Sequence, residues 1–210
     1  ASLQVSGPVQ AAGSLALAST GELLTTAASQ LRAASVQLDA GGRIDLAGRI
    51  DTPGTLQLHG ASLRHAGQTE AGGAASASLA GAAQFSGRLQ VASLQVDSGG
   101  AITLDGVLTS LGAVQFSAGT DWLQRGLLQA GGTLDVLTGR DLQLAGVVRA
   151  ADDVQLLAGR DMRLQGLLWT GGALAAQAGR DLLASGAAPV AVDGARYQAG
   201  RRRVLPAGVR

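Results

Sequence analysis

The 210-residue sequence predicts an all-β chain wound as a parallel β-helix of about ten rungs. Three observations lead there: a repeat of twenty residues, apolar residues paired at i and i+2 inside each repeat, and glycine at two fixed places in it. Successive side chains of a strand point to opposite faces, so short i, i+2 pairs broken by glycine mark short strands. No segment keeps a helical apolar stripe for long enough to make a helix.

The rung is clearest over 99–186. Its first corner carries Gly99, Gly119, Gly139, Gly159 and Gly179. Three residues later comes the first strand, with Ile102, Trp122, Leu142, Met162 and Leu182 at one repeating position. A second corner follows at Gly106, Gly126, Gly146, Gly166 and Gly186, seven residues after the first. The second strand then carries Leu108, Leu128, Val148 and Leu168, and the third Val114, Leu134, Val154 and Leu174. Three short strands and tight glycine corners in twenty residues describe one coil of a parallel β-helix. Leucine-rich repeats share the length, but their Asn/Cys ladder position is missing. Glycine at these corners is expected to supply the positive φ that sharp turns demand.

The remaining segments carry the same plan less regularly. Over 1–98, Ile44, Leu46, Gly48, Ile50, Leu56 and Leu58 form one rung; Val36 and Leu38 lie twenty before Leu56 and Leu58. Leu94 and Val96 lie twenty before Val114 and Phe116. The register slips between 60 and 98, where Gly81 and Gly87 mark a shortened unit and 72–83 reads as a loosened rung or bulged loop. Residues 187–210 read as a degenerate terminal rung, with Gly200-Arg201 one residue out of step with Gly179-Arg180. No linker interrupts 1–210, so the whole chain is expected to be one solenoid segment. It begins and ends mid-pattern, as an internal piece of a longer protein would. At about 4.8 Å between stacked strands, ten rungs make a rod about 50 Å long. Neighbouring rungs bury each other's strand faces, so stability is a sum of nearest-neighbour terms.

Composition narrows the function classes. Hydrophobic residues are 46% of the chain, but only five are aromatic, so Ala, Leu and Val must build the core. All 16 cations are Arg, with Lys and Asn absent, and they nearly balance 15 acidic residues to a net charge of +1. That balance argues against a nucleic-acid binder, which carries a basic excess. No apolar run is long enough for a transmembrane helix, and so few aromatics would not furnish the girdles of a transmembrane barrel. Ala1-Ser2-Leu3-Gln4-Val5 lacks the basic start and apolar run of a secretory leader. No cysteine means no disulfide and no thiolate metal site.

Candidate chemistry is sparse. Gly-Arg-Asp occurs at 139–141, 159–161 and 179–181, so Arg140, Arg160, Arg180 and, one residue out of step, Arg201 are expected to stack at rung spacing, about 5 Å apart. A file of guanidiniums could grip sulfated or carboxylated glycans by bidentate contacts. Alternatively, Asp141, Asp161 and Asp181 neutralise the file and hydrogen-bond the corner backbone. Arg201-Arg202-Arg203 is the only run of like charge, either a small polyanion patch or a solvated turn. His59, His65 and Glu70 lack the convergent ligands of a metal site, and Asp152-Asp153 and Asp193 fit no calcium repeat. G-x-S-x-G, a Cys–His pair and a nucleotide-binding lysine loop are absent. A polysaccharide lyase or hydrolase would need clustered carboxylates and sugar-stacking aromatics. No catalytic residue, cofactor or metal is expected, and the chain is read as a non-enzyme.

The Gly-Arg-Asp repeat, with its Leu alternation and following Gly, spans 138–148, 158–168 and 178–188 and decays at Ala184 and Ala188. It resembles the repeat shaft of filamentous haemagglutinins, the large exoproteins of two-partner secretion. The likeness is strong over 99–186 and weaker over 1–98. The resemblance implies a right-handed parallel β-helix in a secreted bacterial surface fibre. It also implies adhesion to host cell-surface receptors or sulfated glycans such as heparin, and an outer-membrane transporter that exports the parent protein. Contact-dependent inhibition proteins, also in this family, carry a toxin beyond a similar stalk, so that role stays open beside adhesion. The family's usual Asn content and its amino-terminal secretion domain are not seen here.

Overall fold

A computed structural model describes residues 1–185 and 190–205. They form an all-β solenoid in which every pairing is parallel, with about ten coils at a spacing near twenty residues. Each coil lays one strand on each of three faces. The first face stacks eleven strands, from Leu3–Val5 to Arg202–Val204. The second runs from Pro8–Gln10 to Val190–Ala191, and the third from Ser14–Ser19 to Ala195–Ala199.

The apolar series read from the repeat are the inward columns of these faces. Ile102, Trp122, Leu142, Met162 and Leu182 are successive register partners on the first face. Leu108, Leu128, Val148 and Leu168 stack on the second, and Val114, Leu134, Val154 and Leu174 on the third. None is more than 3% exposed. Burying a side chain of this size is worth about 1.5–3 kcal/mol, and each column repeats that gain at every coil. Val36 and Leu38 lie under Leu56 and Leu58 as the spacing requires.

The irregular half is equally well paired. Leu23 pairs with Ile44, one residue longer than the repeat, and Ile44 with Leu63, one shorter. Ala83 pairs with Ile102, again one shorter. Within 72–83, read as a loosened rung or bulged loop, residues 72–79 are strand. Gln68–Leu79 is a 12-residue strand that runs without a corner through the second and third faces, with one register shift between Ala71 and Ala74. Arg88–Ser98 does the same on the next coil. Thr69, Ala71, Ala75, Ala77 and Leu79 alternate inward there, so a strand is kept by small residues.

The corner glycines have a different cause from the one expected. Among the described residues only Gly194 has positive φ, at 97°. The glycines at 106, 126, 146 and 166 stack carbonyl under α-carbon: a Cβ on Gly126 would lie within 3.0 Å of Gly106 O and of the Asp105 carbonyl. The column at 119, 139, 159 and 179 is closed in the same way, each residue by the glycine one coil below. Close approach between coils excludes a side chain here, rather than a left-handed backbone. Gly186 lies outside the described residues.

Buried polar groups close the remaining corners. Gln124, fully buried, donates from Nε2 to Gly126 O (2.5 Å) and Val147 O (3.1 Å) and accepts the Gly146 N–H at 3.0 Å. At the corner between the second and third faces, the Thr52, Ser110 and Thr170 hydroxyls each donate to a carbonyl of the coil below. Each also accepts the N–H two residues on, as buried polar atoms require.

Candidate functional site

The Gly-Arg-Asp segments sit at the corner between the third and first faces, so their side chains leave the rod along one edge. Backbone hydrogen bonds tie the file together. Arg140 N–H donates to Thr120 O (2.8 Å), Arg160 to Arg140 O (2.9 Å), Arg180 to Arg160 O (2.8 Å) and Arg201 to Arg180 O (2.8 Å). The predicted stacking of Arg140, Arg160, Arg180 and Arg201 is therefore present.

Arg140, Arg160 and Arg180 each reach down one coil to an aspartate. Arg140 Nε lies 3.5 Å from Asp121 Oδ1, Arg160 Nη2 3.0 Å from Asp141 Oδ2, and Arg180 Nη2 2.7 Å from Asp161 Oδ2. Oδ1 of each aspartate also serves the backbone above. Oδ1 of Asp121, Asp141 and Asp161 accepts the N–H of Asp141, Asp161 and Asp181 at 3.2, 3.2 and 3.3 Å. One carboxylate thus pairs the arginine above and caps the backbone above. Hydrogen bonding to Arg180 holds Asp161 below the usual carboxylate range and raises Arg180 in turn.

The arginine run at 201–203 is divided between the corner and the first face. Arg201 extends the corner file. Arg202 is the register partner of Asp181 on the first face. Arg203 falls on the inward column above Leu182, where Nη1 donates to Tyr197 O at 3.0 Å. All three are exposed, and none forms an ion pair with a described residue. A surface depression of about 220 Å³ lies at Arg202, lined also by Arg163, Asp161 and Asp181. Above Asp181 the described residues continue with Arg202, its register partner, so the file of aspartates stops there.

The histidines do not converge. His59 is exposed on the third face, whereas His65 is buried on the first. His65 Nε2 shares a 2.9 Å hydrogen bond with Thr69 Oγ1, and its ring lies 6.2 Å from Phe85 in a row continued by Phe116 and Trp122. Burial drives its pKa down to about 4, so it is a neutral core residue at pH 7. Glu70 is paired with Arg49 at 3.2 Å. Asp153 Oδ1 accepts the Ala173 N–H at 2.8 Å as a corner cap. Among the described residues, no three His, Asp or Glu side chains gather to hold a metal.

Sequence reasoning passed over Trp169. It is the one exposed aromatic side chain among the described residues, 44% exposed on the outer second face as the register partner of Arg149. Parity was the available signal, because Trp169 follows the inward Leu168. Compared with known proteins, the chain matches no family model, no curated protein and no solved structure.

Proposed function

We propose that this chain is a structural and binding segment of a secreted bacterial adhesin fibre, attaching to host cells or matrix through sulfated glycans. The observation that carries the reading is the corner file, which spaces guanidiniums along one edge of a long rod at the repeat of stacked strands. An extended polyanion has charges distributed along its length, and arginine binds sulfate and carboxylate through two parallel N–H donors. Arg201 and Arg202, with no described acidic partner, offer the first contact. Arg180 and Arg160 extend the track where a glycan sulfate displaces an aspartate.

Pairing of Arg140, Arg160 and Arg180 with aspartates favours a second reading, in which the segment is a spacer or the stalk of a toxin-delivery exoprotein. Retention on immobilised heparin over a salt gradient separates the two. The adhesin reading expects elution above physiological salt, and earlier elution of Arg201→Ala/Arg202→Ala. Early elution of both proteins supports the spacer.

A further inference from the structure

Asp-Gly occurs twice in the chain, at Asp105-Gly106 and Asp193-Gly194, and the fold treats the two very differently. We propose that Asp193-Gly194 is a site of spontaneous aspartate isomerisation, and that the stacked coils protect Asp105-Gly106 from the same reaction.

The reaction needs the glycine N–H to reach the side-chain carboxyl of the preceding aspartate. The Gly194 nitrogen attacks Cγ of Asp193, a C–N bond forms, and one water leaves, carrying the carboxyl oxygen and the amide proton. The resulting five-membered imide takes up one water. Opening at the side-chain carbonyl restores aspartate, and opening at the main-chain carbonyl leaves isoaspartate, with the chain routed through Cβ and Cγ. No oxidant or cofactor enters, and the final mass is unchanged.

At Asp105 every requirement is blocked. Arg125 holds both carboxylate oxygens, Nε to Oδ1 at 2.7 Å and Nη2 to Oδ2 at 3.2 Å. The Gly106 N–H donates to Phe85 O at 3.0 Å. The Gly106 α-carbon lies against the Gly87 carbonyl so closely that no Cβ would fit. At 193–194 none of these restraints comes from a described residue. Both residues are exposed, nothing lies within 4 Å of a Cβ position on Gly194, and its N–H makes no close hydrogen bond to a described residue. Absence of a side chain on the following residue leaves its nitrogen unhindered; the coil below holds only the Asp193 N–H, which donates to Gly172 O at 3.3 Å, and the Gly194 carbonyl, which accepts the Leu174 N–H at 3.0 Å.

Conversion adds one backbone carbon just before Ala195–Ala199. That strand sets Tyr197 over Ala176, and its Tyr197 carbonyl accepts from Arg203. The lengthened corner pushes this strand out of register and loosens the coil that carries Arg201 and Arg202.

The test is incubation of the folded chain at neutral pH and 37 °C, then tryptic mapping with isoaspartyl methyltransferase labelling. Cleavage at arginine places the two sites on separate peptides, 89–125 and 181–196. The expected result is label accumulating on 181–196 at least tenfold faster than on 89–125, and abolished on that peptide by Asp193→Ser. In urea the two peptides should label at similar rates. Comparable labelling of both sites in the folded chain, or no label on 181–196 while the urea sample converts, overturns the proposal.

Discussion

Alanine at Gly126 is a small change that should damage the solenoid severely. A Cβ there would lie within 3.0 Å of Gly106 O and of both carbonyl atoms of Asp105, all backbone. That backbone cannot step aside, because Leu127 N–H is bonded to Gly106 O at 3.0 Å and Gly126 N–H to Leu104 O at 3.0 Å. Room appears only if two coils separate locally. Overpacking of this kind costs about 1–3 kcal/mol, and stretching two hydrogen bonds adds about 1 kcal/mol for each that is lost. The expected destabilisation is therefore about 3 kcal/mol, concentrated at the coils on either side. Gly13→Ala is the matched control, since nothing lies within 4 Å of its Cβ position and its φ is not positive. Alanine there restricts the unfolded chain and should be neutral or stabilising by up to about 1 kcal/mol. Urea unfolding followed by circular dichroism reads the difference, and amide exchange at Arg125–Leu127 localises it. Unfolding free energies for the two variants within about 0.5 kcal/mol of each other would refute close stacking as the reason for glycine.

Two further outcomes follow from the core. His65 is held neutral, with a folded pKa of about 4 against an ordinary 6.5, so the unfolded chain binds its proton first as pH falls. Stability should be complete above pH 6.5, decline from there to about pH 4, and level off below, losing on the order of 3 kcal/mol from this group. A urea series across that range should lose this component in His65→Leu; an unchanged pH profile would contradict the buried neutral assignment. Leu144→Asp puts an unpaired carboxylate on an inward column and should lower the melting temperature sharply, whereas Gln143→Asp, one residue away and outward, should leave it nearly unchanged. Equal effects at 143 and 144 would mean that the inward parity is wrong.

What was legible in the sequence was whatever large side chains repeat. Ile102 to Leu182 announce a column because Leu, Met and Trp mark an inward position wherever they recur. The strand at 68–79 was hidden because its inward positions are Thr69, Ala71, Ala75 and Ala77, which carry too little hydrophobic contrast against Ser76 and Ser78. The corner glycines were located correctly from spacing, but their cause was not: a contact twenty residues away is invisible in local sequence, whereas φ is a local property. At the candidate site, stacking of Arg140, Arg160 and Arg180 and their neutralisation by aspartate both followed from the repeat. The direction of pairing, with Arg160 meeting Asp141 of the coil below rather than its own neighbour Asp161, depends on side-chain reach across a corner. The placement of Arg203 was not legible for another reason: one extra residue between Leu182 and Arg203 sets this exposed side chain above the inward column.

Register is the claim on which the rest depends, and a chain without cysteine lends itself to a direct test. Gln143 and Arg163 are partners on the outward column of the first face, and Arg163 and Leu183 are the next pair. Adjacent strands lie about 4.8 Å apart, inside the roughly 4.4–6.8 Å that a disulfide spans between α-carbons. Two coils lie about 10 Å apart and exceed it. The measurement is disulfide formation under mild oxidation in Gln143→Cys/Arg163→Cys and in Gln143→Cys/Leu183→Cys. The account predicts rapid intramolecular closure in the first and none in the second. Closure of the second as fast as the first, or failure of the first, would contradict the twenty-residue parallel stack.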